Sequence, residues 1–300
     1  MKGDGGMVLV VGGSQMYGAP PYLAGLGALR AGTDRVYTLA PSSAAAAAAA
    51  LDMHVLPVRD KELAPADVED LVRVSDAVEQ RLAETAAAGR VVWLVGPGLG
   101  GSPVADRVLE ALCAARTRGG GRSAAVVVDG SLGGGEQGRQ RIAALGTAVV
   151  LLNRAEAAAL AGPGHRPVPV SDLVRLADRT GATAVVTKDR VDRVVTSSGV
   201  VHQITAGDPS LAKSGSGDVL AGVTAGLLAQ GLPAPQAAAL ACYLVGTAGQ
   251  RLARRTGPGW LPSDLPDALA GPMRELATSR ARLNRIAQLI TDVPNRWRQS

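Results

Sequence analysis

Val91-Val92-Trp93-Leu94-Val95 runs directly into Gly96-Pro97-Gly98-Leu99-Gly100. Five consecutive apolar residues make a strand length, and they do not alternate with polar ones, so both faces of that strand must be covered. The pattern recurs on either side. Met7–Val11 is followed at once by Gly12-Gly13-Ser14, Arg35–Leu39 reads as a second strand, Ala124–Val128 ends on Asp129, and Ala148–Leu152 ends on Asn153. Helical spacing fills the intervals, at Pro20–Ala31, Ser42–Leu51, Ala66–Ala88, Val104–Thr117 and Gln137–Leu145. Strands alternating with helices predict an α/β fold, with a mostly parallel central sheet and helices on both faces. The Gly-rich and polar residues cluster just after the strands, at the edge where open α/β sheets bind ligands.

After Asn153 the rhythm changes. A helix over Ser171–Gly181 precedes three short strands, Thr183–Thr187, Arg193–Thr196 and Val200–Gln203, separated by turn residues, which predicts a short antiparallel edge. Long helices follow at Val219–Gln230, Pro235–Arg255 and Leu265–Leu276, and Thr278–Ile290 carries a further helical stripe. The simplest division is one domain over 1–275 and a basic helical tail over 276–300. Six arginines against two acids between Arg274 and Ser300 supply most of the net charge of +5, so the body is close to neutral.

Composition excludes several classes. With 47% hydrophobic and 19% charged residues the chain is not of the disordered type. Aromatic residues are 2% and Phe is absent, which leaves no stacking platform for single-stranded nucleic acid, and no nucleic-acid partner is expected. Two distant cysteines, Cys113 and Cys242, make neither a disulfide scaffold nor a cysteine-rich zinc site, and both read as core thiols. No apolar run spans a bilayer and no signal peptide is visible, so a cytoplasmic protein without membrane contact is expected.

Chemistry concentrates in Ala212-Lys213-Ser214-Gly215-Ser216-Gly217-Asp218-Val219-Leu220-Ala221-Gly222. A Gly/Ser loop entering a long helix presents unpaired first-turn N–H groups at the positive end of the helix dipole, a cradle for phosphate or an oxyanion. Asp218 beside that cradle is placed either as a base toward a hydroxyl or as an ordinary acidic first-turn residue. Lys213 precedes the glycines, so this is no Walker loop. Asn153-Arg154-Ala155-Glu156 follows a strand. Asn153 and Glu156 can orient a water or a hydrated Mg²⁺, or cap their own helix. Lys188, at a strand end, can meet a phosphate as a point charge or sit exposed in a hairpin.

In this order, Gly12-Gly13-Ser14 with Gly18-Ala19-Pro20, Gly96–Gly100, Asn153-x-x-Glu156 and Gly215–Gly222 resemble the ribokinase-like superfamily. Within it they are most similar to the ADP-dependent NAD(P)H-hydrate dehydratases, over roughly residues 7 to 270. The resemblance implies repair of hydrated NADH and NADPH. The C6 hydroxyl is phosphorylated by ADP, with ATP as the alternative donor, and phosphate then leaves, so ADP becomes AMP and phosphate. It implies Asp218 as the base, Gly215, Ser216 and Gly217 as the anion hole, and Lys188 with Gly217 on the nucleotide. Ala19, Gly98, Asn153 and Asp218 are placed on the hydrated cofactor, and Mg²⁺ is ordered by Asn153 and Glu156 through water. A homo-oligomer, a tetramer by resemblance, is expected, with the companion epimerase on a separate protein or domain.

The chain departs from the pattern at several points. Tyr17-Gly18-Ala19 is one residue shorter than usual, and Asp129-Gly130-Ser131-Leu132 has one acid fewer. Gly207-Asp208-Pro209-Ser210-Leu211 replaces a Gly-Asn-Pro-Gly-Met stretch, and Lys213 stands where Thr or Ser is usual. Lys188-Asp189 replaces Lys-Gly and Asp192 stands where Thr is common, so two negative charges are expected near a bound polyphosphate. The alternatives left by the residues are a ribokinase-like kinase of a small alcohol and a catalytically impaired nucleotide-binding protein.

Overall fold

A computed structural model describes residues 3–41, 53–56, 58, 62–85, 88–121, 124–162 and 167–278. The helix expected over Ser42–Leu51 and nearly all of the basic tail, with its helical stripe, lie outside the described residues.

The five expected strands of the first half appear as β1 (Met7–Val11), β2 (Arg35–Leu39), β4 (Val91–Val95), β5 (Ala125–Asp129) and β6 (Thr147–Asn153). A two-residue strand, β3 (His54–Val55), was not expected, because two residues make no apolar run. It pairs with Tyr37 and Thr38 of β2, and the His54 and Tyr37 rings stack at 4.7 Å. β7 (Ala184–Lys188), β8 (Asp192–Val195) and β9 (Val201–Ile204) complete a nine-stranded sheet in the order β3-β2-β1-β4-β5-β6-β7-β8-β9. All pairings up to β6–β7 are parallel, and β7–β8 and β8–β9 are antiparallel.

Every residue of β1 and β4 is buried, as their unbroken apolar runs require. Alternate side chains serve two cores. Val8 and Val10 face the layer of α1 (Ala19–Arg30), α7 (Ser216–Ala229) and α8 (Ala234–Thr256). Met7, Leu9 and Val11 face the opposite layer, which includes α2 (Pro65–Thr85), α3 (Pro103–Thr117), α4 (Gly135–Ala144), α5 (Arg154–Ala161) and α6 (Val170–Thr180). Cys242 is buried in α8, while Cys113 on α3 is half-buried, and neither is in a disulfide. The helix expected over Leu265–Leu276 is broken into α9 (Leu265–Ala268) and α10 (Ala270–Thr278). Pro272 cannot donate the N–H that would bond one turn back, so a continuous helix loses a rung there. α10 runs across residues 275 and 276, and Leu276 belongs to the core.

The order reverses at β1, whose neighbours are β2 on one side and β4 on the other. The chain leaves such a switch point in both directions and opens a crevice at the carboxyl ends of the strands. α7 is delivered to that crevice by its packing on α1. A Cβ on Gly222 would fall 1.8 Å from the Ala24 carbonyl oxygen, so only glycine lets the two backbones touch. Gly222, which the sequence offers only as part of a motif, thereby fixes where the start of α7 stands.

Candidate active site

The first turn of α7 stands over the ends of β5, β6 and β7. Gly215 precedes it with φ +104°, in the left-handed region that glycine tolerates best, and a Cβ there would meet Leu23 of α1 at 2.8 Å and Pro262 at 2.9 Å. Lys188, the last residue of β7, aims its ammonium at this turn: a Cβ on Gly217 would lie 2.9 Å from Lys188 Nζ. Nζ also donates to Asp129 Oδ1 at 2.7 Å, joining the ends of β7 and β5 across the end of β6. Asp129 is the residue whose place in the cluster the sequence reading did not assign. Its only signal was a carboxylate on the last position of an apolar strand. Ser216 Oγ is buried without a hydrogen-bond partner, an unsatisfied polar atom inside the cradle.

Electrostatics tie the group together. Burial pushes the Asp218 carboxyl up to about 7, and the nearby Asp129 carboxylate adds to the rise, while the Lys188 ammonium works against it. Burial lowers the Lys188 ammonium, but Asp129, Glu156 and Asp218 together outweigh that and hold it above its ordinary value. The Ser216 and Val219 N–H groups donate to the Lys213 and Gly215 carbonyls, which leaves the N–H groups of Gly217 and Asp218 at the tip of the helix. A carboxyl that ionises near neutrality beside these and a cation can accept a proton where an anion is being held.

Asn153 and Glu156 form a reciprocal cap on α5. Asn153 Oδ1 accepts from the Ala155 and Glu156 N–H groups at 2.9 Å each, and Glu156 Oε2 accepts from the Asn153 N–H at 2.8 Å. The second Glu156 oxygen is directed toward the end of β5, 3.7 Å from where a Cβ on Gly130 would lie. Among the described residues no three His, Cys, Asp or Glu side chains gather as a metal cage. One uncommitted carboxylate oxygen, Glu156 Oε1, beside the end of β5 fits a hydrated Mg²⁺, which keeps several waters and takes one or two carboxylates.

Gly98 and Ala19 lie on the other side of the crevice. Ala19 is the exposed first residue of α1, and a Cβ on Gly98 would press on Pro20 at 2.8 Å and on the Tyr17 carbonyl oxygen at 2.9 Å. The Gly13 N–H donates to the Pro97 carbonyl at 2.8 Å, so the loops after β1 and β4 are joined. The loops after β1 and β4, the strand ends Asp129, Asn153 and Lys188, and the start of α7 thus stand along one edge of the sheet. A separate groove of about 650 Å³ between α2 and α3, lined by Val72 and Ala111 among others, contains none of them.

Two of the departing residues find partners within the protein. Lys213 does not extend into the cradle: its ammonium donates to the Pro258 and Trp260 carbonyls and lies 4.4 Å from the Trp260 ring centroid. Asp192, the first residue of β8, is half-buried. Its Oδ1 accepts the Asp189 N–H at 3.0 Å, and it accepts from the Cys242 thiol, while burial raises its carboxyl to about 6.

The model of the NAD(P)H-hydrate dehydratase family matches residues 8–270. The chain belongs to that family. The resemblance seen in the motifs is therefore borne out across nearly the same span. A bifunctional NAD(P)H-hydrate repair enzyme of Pyrobaculum aerophilum is 32% identical over 288 residues, covering 94% of this chain and 53% of that protein. The chain thus spans about half the length of the bifunctional relatives it matches. An ADP-dependent (S)-NAD(P)H-hydrate dehydratase of Natrialba magadii is 30% identical over 280 residues, covering 90% of this chain and 93% of the relative. Two solved structures show the same fold, ribokinase-like as expected. A ribokinase-like superfamily protein of Enterococcus faecalis V583 superposes with a TM-score of 0.72 at 23% identity, covering 91% of this chain and 88% of the other. The ADP/ATP-dependent NAD(P)H-hydrate dehydratase of Bacillus subtilis, co-crystallised with ATP and Mg²⁺, gives 0.62 at 19% identity, covering 92% and 91%.

Proposed function

We propose that this NAD(P)H-hydrate dehydratase family member restores (S)-NADH hydrate and (S)-NADPH hydrate to NADH and NADPH, converting ADP to AMP and phosphate. The observation that carries the reading is Asp218, a carboxyl raised to about 7 on the first turn of α7, beside the Gly215–Gly217 cradle and the Lys188 ammonium. Asp218 removes the proton of the C6 hydroxyl, whose oxygen attacks the terminal phosphoryl of ADP while the bond to AMP breaks. The first-turn N–H groups and Lys188 hold the charge that accumulates on the phosphoryl oxygens. Phosphate then leaves C6 with its electron pair, a proton leaves C5, and the ring double bond returns. The sum is NAD(P)H hydrate and ADP giving NAD(P)H, AMP and phosphate.

Mg²⁺, when bound, neutralises phosphoryl charge, and Asn153 and Glu156 are the residues that would hold it through water. Ala19, Gly98 and Asn153 are assigned to the hydrated cofactor. ADP is taken as the donor on the strength of the Natrialba relative's name, with ATP as the substitute suggested by that of the Bacillus protein. A tetramer, a cytoplasmic setting and a separate epimerase complete the reading. Among the described residues no helix is long and apolar enough to cross a membrane.

The direct test incubates the protein with hydrated NADH, Mg²⁺ and either nucleotide, and follows the return of absorbance in the reduced-nicotinamide band. Recovery with ADP, and AMP formed in equal amount, supports the reading. Phosphate retained on the product would instead make the protein a kinase.

A further inference from the structure

Two carboxylates follow the lysine that reaches Gly217: Asp189, first in the turn after β7, and Asp192, the first residue of β8. Asp192 interacts electrostatically with both Lys188 and Asp189, and charges in physiological salt act over about 8 Å. An unpaired carboxylate at 189 would add negative charge to the segment that carries the anion-facing lysine. Asp192 is turned inward, taken up by the Asp189 N–H and the Cys242 thiol. Asp189 is met by Arg154. The guanidinium closes on it as a fork: Nε donates to Oδ2 at 2.6 Å, and Nη2 pairs with Oδ1. Such two-pronged pairing fixes geometry as well as charge.

The side chain crosses from the first residue of α5 to the β7–β8 turn, joining the element that bears Asn153 and Glu156 to the one that bears Lys188. Arg154 takes no part in the α5 cap, which is made by Asn153 and Glu156. Its side chain remains 60% exposed while that of Asp189 is 14% exposed, so the arginine lies as a cover over the carboxylate.

We infer that Arg154 is a positioning and specificity residue for the phosphoryl donor: it cancels Asp189 beside the anion cradle and holds the Lys188 turn against α5. The inference rests on the nucleotide-binding reading above. It explains how a chain with an acid in place of the usual glycine keeps a donor site, since the added charge arrives with its own counter-charge. It also ranks the donors, because ATP carries one more negative charge than ADP and suffers more when Asp189 is uncovered.

The test is equilibrium titration of the whole protein with ADP and with ATP, each with Mg²⁺, at low and at high salt. The proteins compared are wild type, R154Q, D189N and R154Q/D189N. R154Q is expected to weaken ADP roughly threefold and ATP roughly tenfold, with the loss shrinking in high salt. D189N is expected to tighten ATP about twofold, since it leaves the arginine uncompensated. The double variant returns both nucleotides to within about twofold of wild type. A purely structural pair would move both single variants in the same direction, and that result overturns the inference. So does an R154Q that binds like wild type, or a double variant as weak as R154Q. If R154Q does not fold, D189N decides alone, and unchanged ATP binding there overturns the proposal. A wild type that binds neither nucleotide overturns the functional reading and this inference together, whereas wild-type binding with an idle Arg154 overturns only the latter.

Discussion

Between Gly12 and Gly18, after β1, and between Gly96 and Gly101, after β4, the crevice edge carries no charged side chain. On the strands next to β4 in the sheet, β5, β6 and β7 end on Asp129, Asn153 and Lys188, with Asp218 above them. The first region is built from uncharged residues, with Gly98 packed closely on Pro20 and the Tyr17 carbonyl while Met16 and Tyr17 are exposed. The second is built from charges that set one another's protonation. On the reading proposed above, the uncharged loops meet the hydrated cofactor and the coupled charges meet the migrating phosphoryl. The difference teaches that neighbouring stretches of one sheet edge can be uncharged or densely charged according to the residue type on which each strand ends.

The division breaks most severely at Asp218. Asp218→Asn is expected to lower turnover about 10²- to 10⁴-fold while nucleotide binding persists, measured by single-turnover assay beside titration. Wild-type-like turnover would remove the base assignment. The same variant gives a stability test. The folded-state carboxyl is raised to about 7 from an ordinary value of 3.8, so the folded form binds its proton more tightly. Its stabilisation is full below the ordinary value and disappears as pH rises through about 7. Asparagine does not ionise, so D218N should gain on wild type from pH 4 to 8, by on the order of a few kcal/mol in denaturant melts. In the wild type, turnover should climb with pH through about 7 as the base ionises.

Gly217→Val probes the charged side more locally. Its new side chain meets the Lys188 ammonium, which Asp129 holds in place. Nucleotide affinity should fall roughly tenfold or more, since a built cradle is being filled. Unchanged affinity would move the nucleotide elsewhere. On the neutral side, Gly98→Ala must place a Cβ 2.8 Å from Pro20 at φ +66°, and should cost about 1–3 kcal/mol in unfolding. It should raise the KM for hydrated cofactor more than the KM for nucleotide. Equal effects on both would erase the contrast between the regions. The smallest expected effect is at Lys213→Met, which removes two carbonyl partners and the contact with the Trp260 ring but no group of the cradle. A loss of about 1 kcal/mol in stability is anticipated, with nucleotide affinity within about threefold of wild type.

Much of this arrangement was legible in the residues alone. Unbroken runs such as Val91–Val95 announced a doubly covered parallel sheet, because a strand without polar positions has no face to give to water. The change to short strands and turns after Ala182 announced the antiparallel edge. β3 went unseen because its two residues are held by β2 and not by their own pattern. The break at Leu269 was readable from Pro272 but was outweighed by the apolar spacing around it. Asp129 was visible as a strand end, yet its partnership with Lys188 joins positions 59 residues apart, across an intervening strand.

The sequence by itself determined which residue types stand at each strand end and that a glycine-rich turn opens α7, since periodicity and backbone preference are local properties of the chain. Only the tertiary structure decided which of those charges face one another. It made Lys188 the companion of Asp129 and Gly217, folded Lys213 against Trp260, and covered Asp189 with Arg154. The physical reason is that a side chain's charge and reach are written in one residue, whereas its burial and its neighbours depend on distant segments brought together by two shared cores.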